Sequence, residues 1–317
     1  MKILLLAILA LSALNLFAAT PEQKKSVLEA QRNCGNFVRF DENYLFQGFG
    51  SYKILFEDPR LPIPGKFTMV NLADQSLKQF ATNDSALDIA SYEGSAFILT
   101  YSSVEEWDLA LGDRIAEYPT HTFSGVMNYK QHAEGFAKYQ DKLIIAHGRL
   151  GVSFFDLKTK KVTKTLKLLE SQLPKESQAT AVAVKGNLAF VTMDSFSIVS
   201  NDKLPFSGII VIDMDSEKVI KELGGMDIGS DAVSIFGNKL IVSFYGHPIW
   251  KYDLTQFRDR KLPEPSLRMF KFPVDGHPVG SATMDEKYYY TCFMQRDEDQ
   301  RTFLKPVALH RKALMLD

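Results

Sequence analysis

From residue 36 onward, short apolar runs alternate with brief polar interruptions, and the order of the runs repeats. Each unit reads as a strand, a tight polar turn and a second, more apolar strand. A variable loop follows, then a third strand often ending in Asp before an apolar residue, a polar turn and a fourth strand. The clearest copy is Gly135–Leu168. There Phe136–Tyr139 leads through Gln140-Asp141-Lys142 into Leu143–Ala146, and the loop His147-Gly148-Arg149 opens the run Gly151–Leu157. Lys158–Lys161 then turns into Val162–Leu168. These runs are rich in Val, Ile, Phe and Tyr and are bounded by turn formers, the pattern of strands. Helical periodicity is weak outside Glu22–Arg32. Gly186-Asn187, Gly237-Asn238 and Glu93-Gly94 stand where a two-residue hairpin needs positive φ.

Two anchors recur in one order. The second strands start at Tyr44, Ala96, Leu143, Leu188, Leu240 and Tyr288, at spacings of 52, 47, 45, 52 and 48 residues. The third strands end at Asp108, Asp156, Asp213 and Asp253, with Asn71 and Ala308 in the same place in the first and last copies. A period of roughly 40–50 residues is that of a four-stranded propeller blade. The first strand of each unit starts with small residues: Ser85-Ala86, Ala179-Thr180-Ala181, Ser230-Asp231-Ala232 and Gly280-Ser281-Ala282. Bulky side chains would collide where inner strands crowd a central axis, whereas a two-sheet sandwich has no such need. The fold expected is all-β: a single β-propeller of about six four-stranded blades, with room for an irregular seventh, closed between the first and last blades.

The totals add constraints. The chain has 317 residues, 45% of them hydrophobic and 24% charged, enough apolar material for a core. Its 37 basic and 38 acidic residues leave a net charge of -1. No long-range field draws in nucleic acid or an anionic membrane. Met1-Lys2, the apolar run Ile3–Phe17 and the small residues Ala18, Ala19 and Thr20 read as a secretory signal peptide. The run is shorter than the ~20 residues of a spanning helix, and no transmembrane span is expected after signal removal. The expected organisation is a signal peptide over 1–19, a lead-in segment over 20–35 and the propeller over 36–317, in a secreted protein of periplasmic or extracellular location.

The chain has two cysteines, Cys34 before the first strand and Cys292 in the second strand of the last unit. They lie far apart in an open array and close together in a ring. A Cys34–Cys292 bridge is therefore expected in an oxidising compartment. Closing a loop this long contributes on the order of 4–5 kcal/mol by the chain-entropy argument.

Leu143–Leu157, read as LIIAHGRLGVSFFDL, resembles the repeat of bacterial YVTN- and LVIVD-type propellers of the WD40-like group. Gly208–Asp213 and Lys239–Leu254 are looser versions, and the resemblance spans roughly residues 36–317. Trp107-Asp108 is a lone WD dipeptide without its Gly-His partner. The resemblance implies the fold and leaves activity open.

A rigid scaffold presents function on variable loops, here those between second and third strands and between units. The longer ones are Gly48–Pro64, His147–Leu150, Met193–Ser207, Tyr245–Pro248 and Phe293–Arg301. His147 with Arg149, and His247 with Trp250, are the ligand-binding candidates. Arg clamps carboxylates or phosphates, and Trp stacks rings. His132, Glu134, Asp231 and His277, with Asp88 in an inner strand, are the candidate ligands of a metal at the axial mouth. They share no recognised spacing, so no cofactor is expected and a divalent metal is the alternative. The repeated aspartates point to a turn-capping duty, since an active site is not repeated in every unit. No GxSxG, P-loop, GxGxxG or CxxC is present, so catalytic residues stay unassigned. The reading favours a binding or scaffold module with a protein, peptide or glycan partner. Its rival is a propeller enzyme of lactonase, hydrolase or lyase type, with a metal or polar centre at the mouth.

Overall fold

The computed structural model describes residues 37–40, 44–48, 65–71, 74, 76–120, 133–166, 177–195, 208–224, 230–244, 250–256, 266–267, 277–284, 287–296 and 302–314. It is all-β, with six antiparallel sheets and no α-helix among the described residues. The first sheet holds β1 (Phe37–Arg39), β2 (Tyr44–Gly48), β3 (Gly65–Asn71) and β4 (Leu77–Thr82). The second holds β5 (Ala86–Tyr92), β6 (Ser95–Thr100), β7 (Ser103–Asp108) and β8 (Asp113–Pro119). The third holds β9 (Gly135–Tyr139), β10 (Lys142–Ala146), β11 (Val152–Asp156) and β12 (Lys161–Leu166). The fourth holds β13 (Ser177–Lys185), β14 (Leu188–Ser195), β15 (Gly208–Asp213) and β16 (Lys218–Gly224). The fifth holds β17 (Ser230–Phe236), β18 (Lys239–Phe244), β19 (Trp250–Asp253) and β20 (Ser266–Leu267). The sixth has three described strands, β21 (His277–Met284), β22 (Tyr288–Arg296) and β23 (Thr302–His310).

Each sheet is a simple meander in which sequence neighbours pair antiparallel. The expected second-strand starts fall within a residue of β2, β6, β10, β14, β18 and β22. Tight hairpins join first to second strands, and Glu93, Gly94, Gly186 and Gly237 have φ of 48°, 85°, 58° and 56°. The aspartates closing β7, β11, β15 and β19 cap the turns that follow. Asp108 Oδ1 accepts the amides of Ala110 and Leu111 at 2.9 and 3.0 Å, and Asp156 Oδ1 those of Lys158 and Thr159 at 3.0 and 2.7 Å. Asp213 Oδ1 accepts the Ser216 amide and hydroxyl, and Asp253 Oδ1 those of Thr255. These bonds satisfy turn donors that have no ladder partner.

Successive sheets pack face to face. In β10, Ile144 and Ala146 join a core shared with the fourth sheet, while Leu143 and Ile145 join one shared with the second. In β14, Val191 and Met193 face back to the third sheet and Phe190 faces the fifth. A strand buried on both faces needs an unbroken apolar run, which is what the second strands carry. Each fully buried Leu, Ile, Val or Phe there contributes roughly 1.5–3 kcal/mol of transfer free energy. The fourth strands alternate exposed and half-buried positions, as β12 does from Lys161 to Leu166. Charges on such outer edges discourage pairing with other chains.

The first strands also neighbour one another: β5 contacts β9, β9 contacts β13, β13 contacts β17 and β17 contacts β21, while β1 touches β5, β21 and β22. Close approach also restricts side chains where β2 and β3 meet the segment that enters β5. A Cβ on Gly48 would lie 2.5 Å from the Ala86 carbonyl oxygen, and one on Gly65 would overlap the Asp84 carbonyl. No helix of the described residues is long and apolar enough to cross a membrane. The signal segment, the lead-in with Glu22–Arg32, and Cys34 lie outside the described residues. Cys292 is fully buried in β22, and no described cysteine is a free thiol.

Candidate functional site

Antiparallel pairing brings the ends of the second strands, the starts of the first and the starts of the third to one end of each sheet. In the third sheet Ala146 pairs with both Gly135 and Val152. Two stretches expected as loop at this end are partly strand. β14 runs on through Ser195 because β13 starts early enough to pair Ser177 with it, and β22 runs to Arg296 against Thr302.

His147 and Arg149 occupy the turn between β10 and β11. The His147 amide donates to Gly151 O at 2.8 Å, Leu150 donates back to His147 O at 2.9 Å, and Gly148 and Gly151 take φ of 50° and 94°. Gly148 also exchanges two backbone hydrogen bonds with Ala179 of β13, at 3.0 and 2.9 Å. The turn is thus tied to the next sheet. His147 is fully buried, its Nδ1 hydrogen-bonded to Ser153 Oγ at 2.8 Å, and Ser153 Oγ in turn meets Thr165 Oγ1 at 3.1 Å. An imidazole beside a serine hydroxyl has the contact of a base–nucleophile pair. Both are buried within the sheet, and the hydrogen-bonded chain His147–Ser153–Thr165 ties the end of β10 to β11 and β12. Arg149 stays partly exposed. Its Nε is buried without a hydrogen-bond partner among the described residues.

The second pair is divided. His247 lies outside the described residues, and Trp250 opens β19 half-buried. Its ring packs against the core shared by the fourth and fifth sheets and meets Tyr252 edge-on, with centroids 6.4 Å apart.

The described metal candidates lie at separate places along the chain. His132 lies outside the described residues; Asp231 and His277 are placed by backbone alone, in β17 and at the start of β21. Glu134 is partly buried just before β9; burial, helped by the charges of Glu134 and Asp84, holds the Tyr101 hydroxyl well above the ordinary phenol range. Among the described residues no group of three or more His, Cys, Asp or Glu side chains is placed to hold a metal ion.

Asp88 has a different duty. It is 3% exposed, with Oδ1 accepting the Ile89 amide at 2.9 Å and Oδ2 accepting the Phe136 amide of β9 at 3.1 Å. It thereby caps a donor on β9, an edge strand of the next sheet. Burial pushes its carboxyl up to about 7, against the pull of the two amides.

Two features were not anticipated. The small-residue stretches of the first strands coincide with register shifts: between Ala86 and Asp88, Ala179 and Ala181, Ser230 and Ala232, and Val279 and Thr283. Leu87, Thr180 and Asp231 are thus equivalent bulged residues, and bulges re-aim side chains at rims. Thr180 uses its position to bond Thr192 Oγ1 at 3.0 Å. The signal available was smallness, which served both close packing and the bulge. The second feature is a fully buried carboxylate, Glu105 of β7. It accepts the Asn83 amide at 3.1 Å, Trp107 Nε1 at 2.9 Å and Arg114 Nη1 at 3.1 Å. Nothing in the alternation Val104-Glu105-Glu106-Trp107 singled it out.

No family model and no curated protein matches the chain. Among solved structures it is similar to the computationally designed Ika8 protein, at 9% identity over 88% of this chain and 98% of that one, with a TM-score of 0.47. That likeness is too loose to bear on what this chain does.

Proposed function

We propose that the protein is a secreted six-bladed β-propeller, of the YVTN- and LVIVD-like kind, and a non-catalytic binding or scaffold module. Its partner, a protein, peptide or glycan, docks on the end where the second-to-third-strand loops emerge. The observation that carries the architecture is the succession of contacts among first strands, from β1 through β5, β9, β13, β17 and β21, and from β21 to β1. Small or bulged residues at the starts of those strands fit a crowded axis. A Cys34–Cys292 bridge is part of the proposal. Cys292 is buried with no free thiol, Cys34 precedes β1 by a few residues, and β1 touches β22.

The end opposite the loops is occupied with internal bonds between sheets, among them Tyr139 Oη to Asp215 at 2.9 Å and Lys185 Nζ to the Gly237 carbonyl at 2.6 Å. That leaves the loop-bearing end, with Arg149 partly exposed, as the better surface for a partner.

The test is a screen of the exported protein on peptide and glycan arrays, alongside lactone and ester hydrolysis assays. Binding lost on Arg149→Ala with unfolding unchanged supports the module. Turnover of a lactone or ester without array binding overturns it in favour of an enzyme. Peptide mapping of the oxidised protein tests the bridge, and separate Cys34 and Cys292 thiols would remove it. N-terminal sequencing that still begins at Met1 would remove the secreted reading.

A further inference from the structure

Three turns that follow the capping aspartates are built alike, and each carries a residue in the left-handed region four positions after its aspartate: Gly112 at φ 82°, Lys160 at 59° and Glu217 at 48°. The amides of Gly112 and Lys160 donate to the carbonyls of Asp108 and Asp156, both at 2.8 Å. Glycine is the ordinary occupant of such a position. Lysine and glutamate are strained there, so their presence requires a compensating contact.

Both compensate by reaching the preceding sheet. Lys160 Nζ lies 3.2 Å from Glu106 Oε1 of β7 and 4.1 Å from the Phe97 ring centroid, with Tyr92 and Tyr118 each 6.0 Å away. A cation among three rings and beside a carboxylate is held by cation–π attraction as well as charge. Glu217 pairs with Lys142 of β10, lies 3.4 Å from Lys164 Nζ of β12, and accepts Lys164 Nζ on its own carbonyl at 2.8 Å. The two lysines hold its carboxyl below the ordinary range although burial opposes them. At the third turn the reach runs the other way. Lys78 of β4 donates to the Leu109 carbonyl at 3.1 Å, and a Cβ at Gly112 would come within 3.4 Å of its Nζ.

We infer that this turn position is an inter-sheet clasp whose charge is matched to the preceding sheet, so that each sheet accepts its proper neighbour and repels another. Lys160 set against the third sheet of another copy of the chain, the sheet that receives Glu217, would face Lys142 and Lys164. Glu217 set against β7 would face Glu106. Units so alike in outline would otherwise stack in the wrong order, a characteristic failure of repeat proteins. The inference does not depend on ring closure or on any ligand.

The test is a set of full-length variants, each followed by thermal unfolding and refolding yield. Lys160→Gly relieves the left-handed strain and removes the clasp together. The expected result is a lower melting temperature, since the lost contact outweighs the relief. A higher or unchanged melting temperature overturns the inference, because the clasp would then contribute no more than the strain at its turn costs. Lys160→Glu is expected to fall further and to refold in lower yield. Adding Glu106→Lys to it is expected to restore at least about fivefold in the unfolding equilibrium, the coupling of residues in contact. A double variant no better than the sum of its singles also overturns it. Glu217→Lys with Lys142→Glu repeats the test at the next seam, where the two outcomes are read in the same way.

Discussion

Asp88 links stability to pH in a direction opposite to most carboxylates. Its carboxyl holds a proton up to about 7 in the folded chain, while in the unfolded chain it ionises near 3.8. Between those values the folded state binds more protons than the unfolded state. Stability therefore falls as pH rises through the window and levels off above about 7. The cause is desolvation of a fully buried carboxyl that the Ile89 and Phe136 amides only partly offset. Three pKa units at 1.36 kcal/mol each come to about 4 kcal/mol in full, of which about 2–3 kcal/mol falls between about pH 5 and pH 8. Asp88→Asn removes the titration and keeps the size. Its amide accepts one backbone N–H and sets its NH2 against the other, an offset that is the same at every pH. Urea unfolding of both proteins at the two pH values isolates the carboxyl. The wild type should lose about 2–3 kcal/mol relative to the variant on going from about pH 5 to pH 8. A difference flat to within about 0.5 kcal/mol, the usual additivity error, would mean that Asp88 is ionised throughout, and the desolvation argument would be wrong.

Other outcomes follow from single sites. Glu105→Ala leaves the Trp107 indole and the Asn83 amide without their acceptor, while Arg114, partly exposed, keeps Glu117; it should cost about 1–3 kcal/mol, read as a fall in urea midpoint, and a loss below about 0.5 kcal/mol would show the bonds to be replaceable by water. Gly65→Ala drives a methyl into the Asp84 carbonyl, where backbone must move. It should cost about 1–3 kcal/mol, and an unchanged melting temperature would refute the close approach. Asp156→Ala leaves the Lys158 and Thr159 amides to solvent and should cost about 1 kcal/mol, with a neutral result counting against the turn-capping role.

The sequence by itself determined where most strands and turns start and their succession in repeated meanders, though not how far β14 and β22 run. Alternating local signals suffice for that: an apolar run such as Leu143–Ala146 between Asp141-Lys142 and Gly148 has few other readings. The capping aspartates were legible for the same reason, since their partners lie two or three residues on. Tertiary structure decided what depends on distant partners. Residues alternate between two cores along β10 because a sheet packs on each side of it, which no local pattern states. His147 looked like an exposed loop residue but turns inward to Ser153, because the Gly148–Ala179 bridge folds its turn against β13. Asp88 looked like a metal ligand, yet its oxygens are taken by two amides, one of them 48 residues away. Glu105 and Lys160 drew no notice because a charge in a strand or turn is ordinarily solvated. Only packing against neighbouring strands, which brings Arg114 and Asn83 to the Glu105–Trp107 pair and sets Phe97 and Glu106 beside Lys160, turns them into fixed points of the fold.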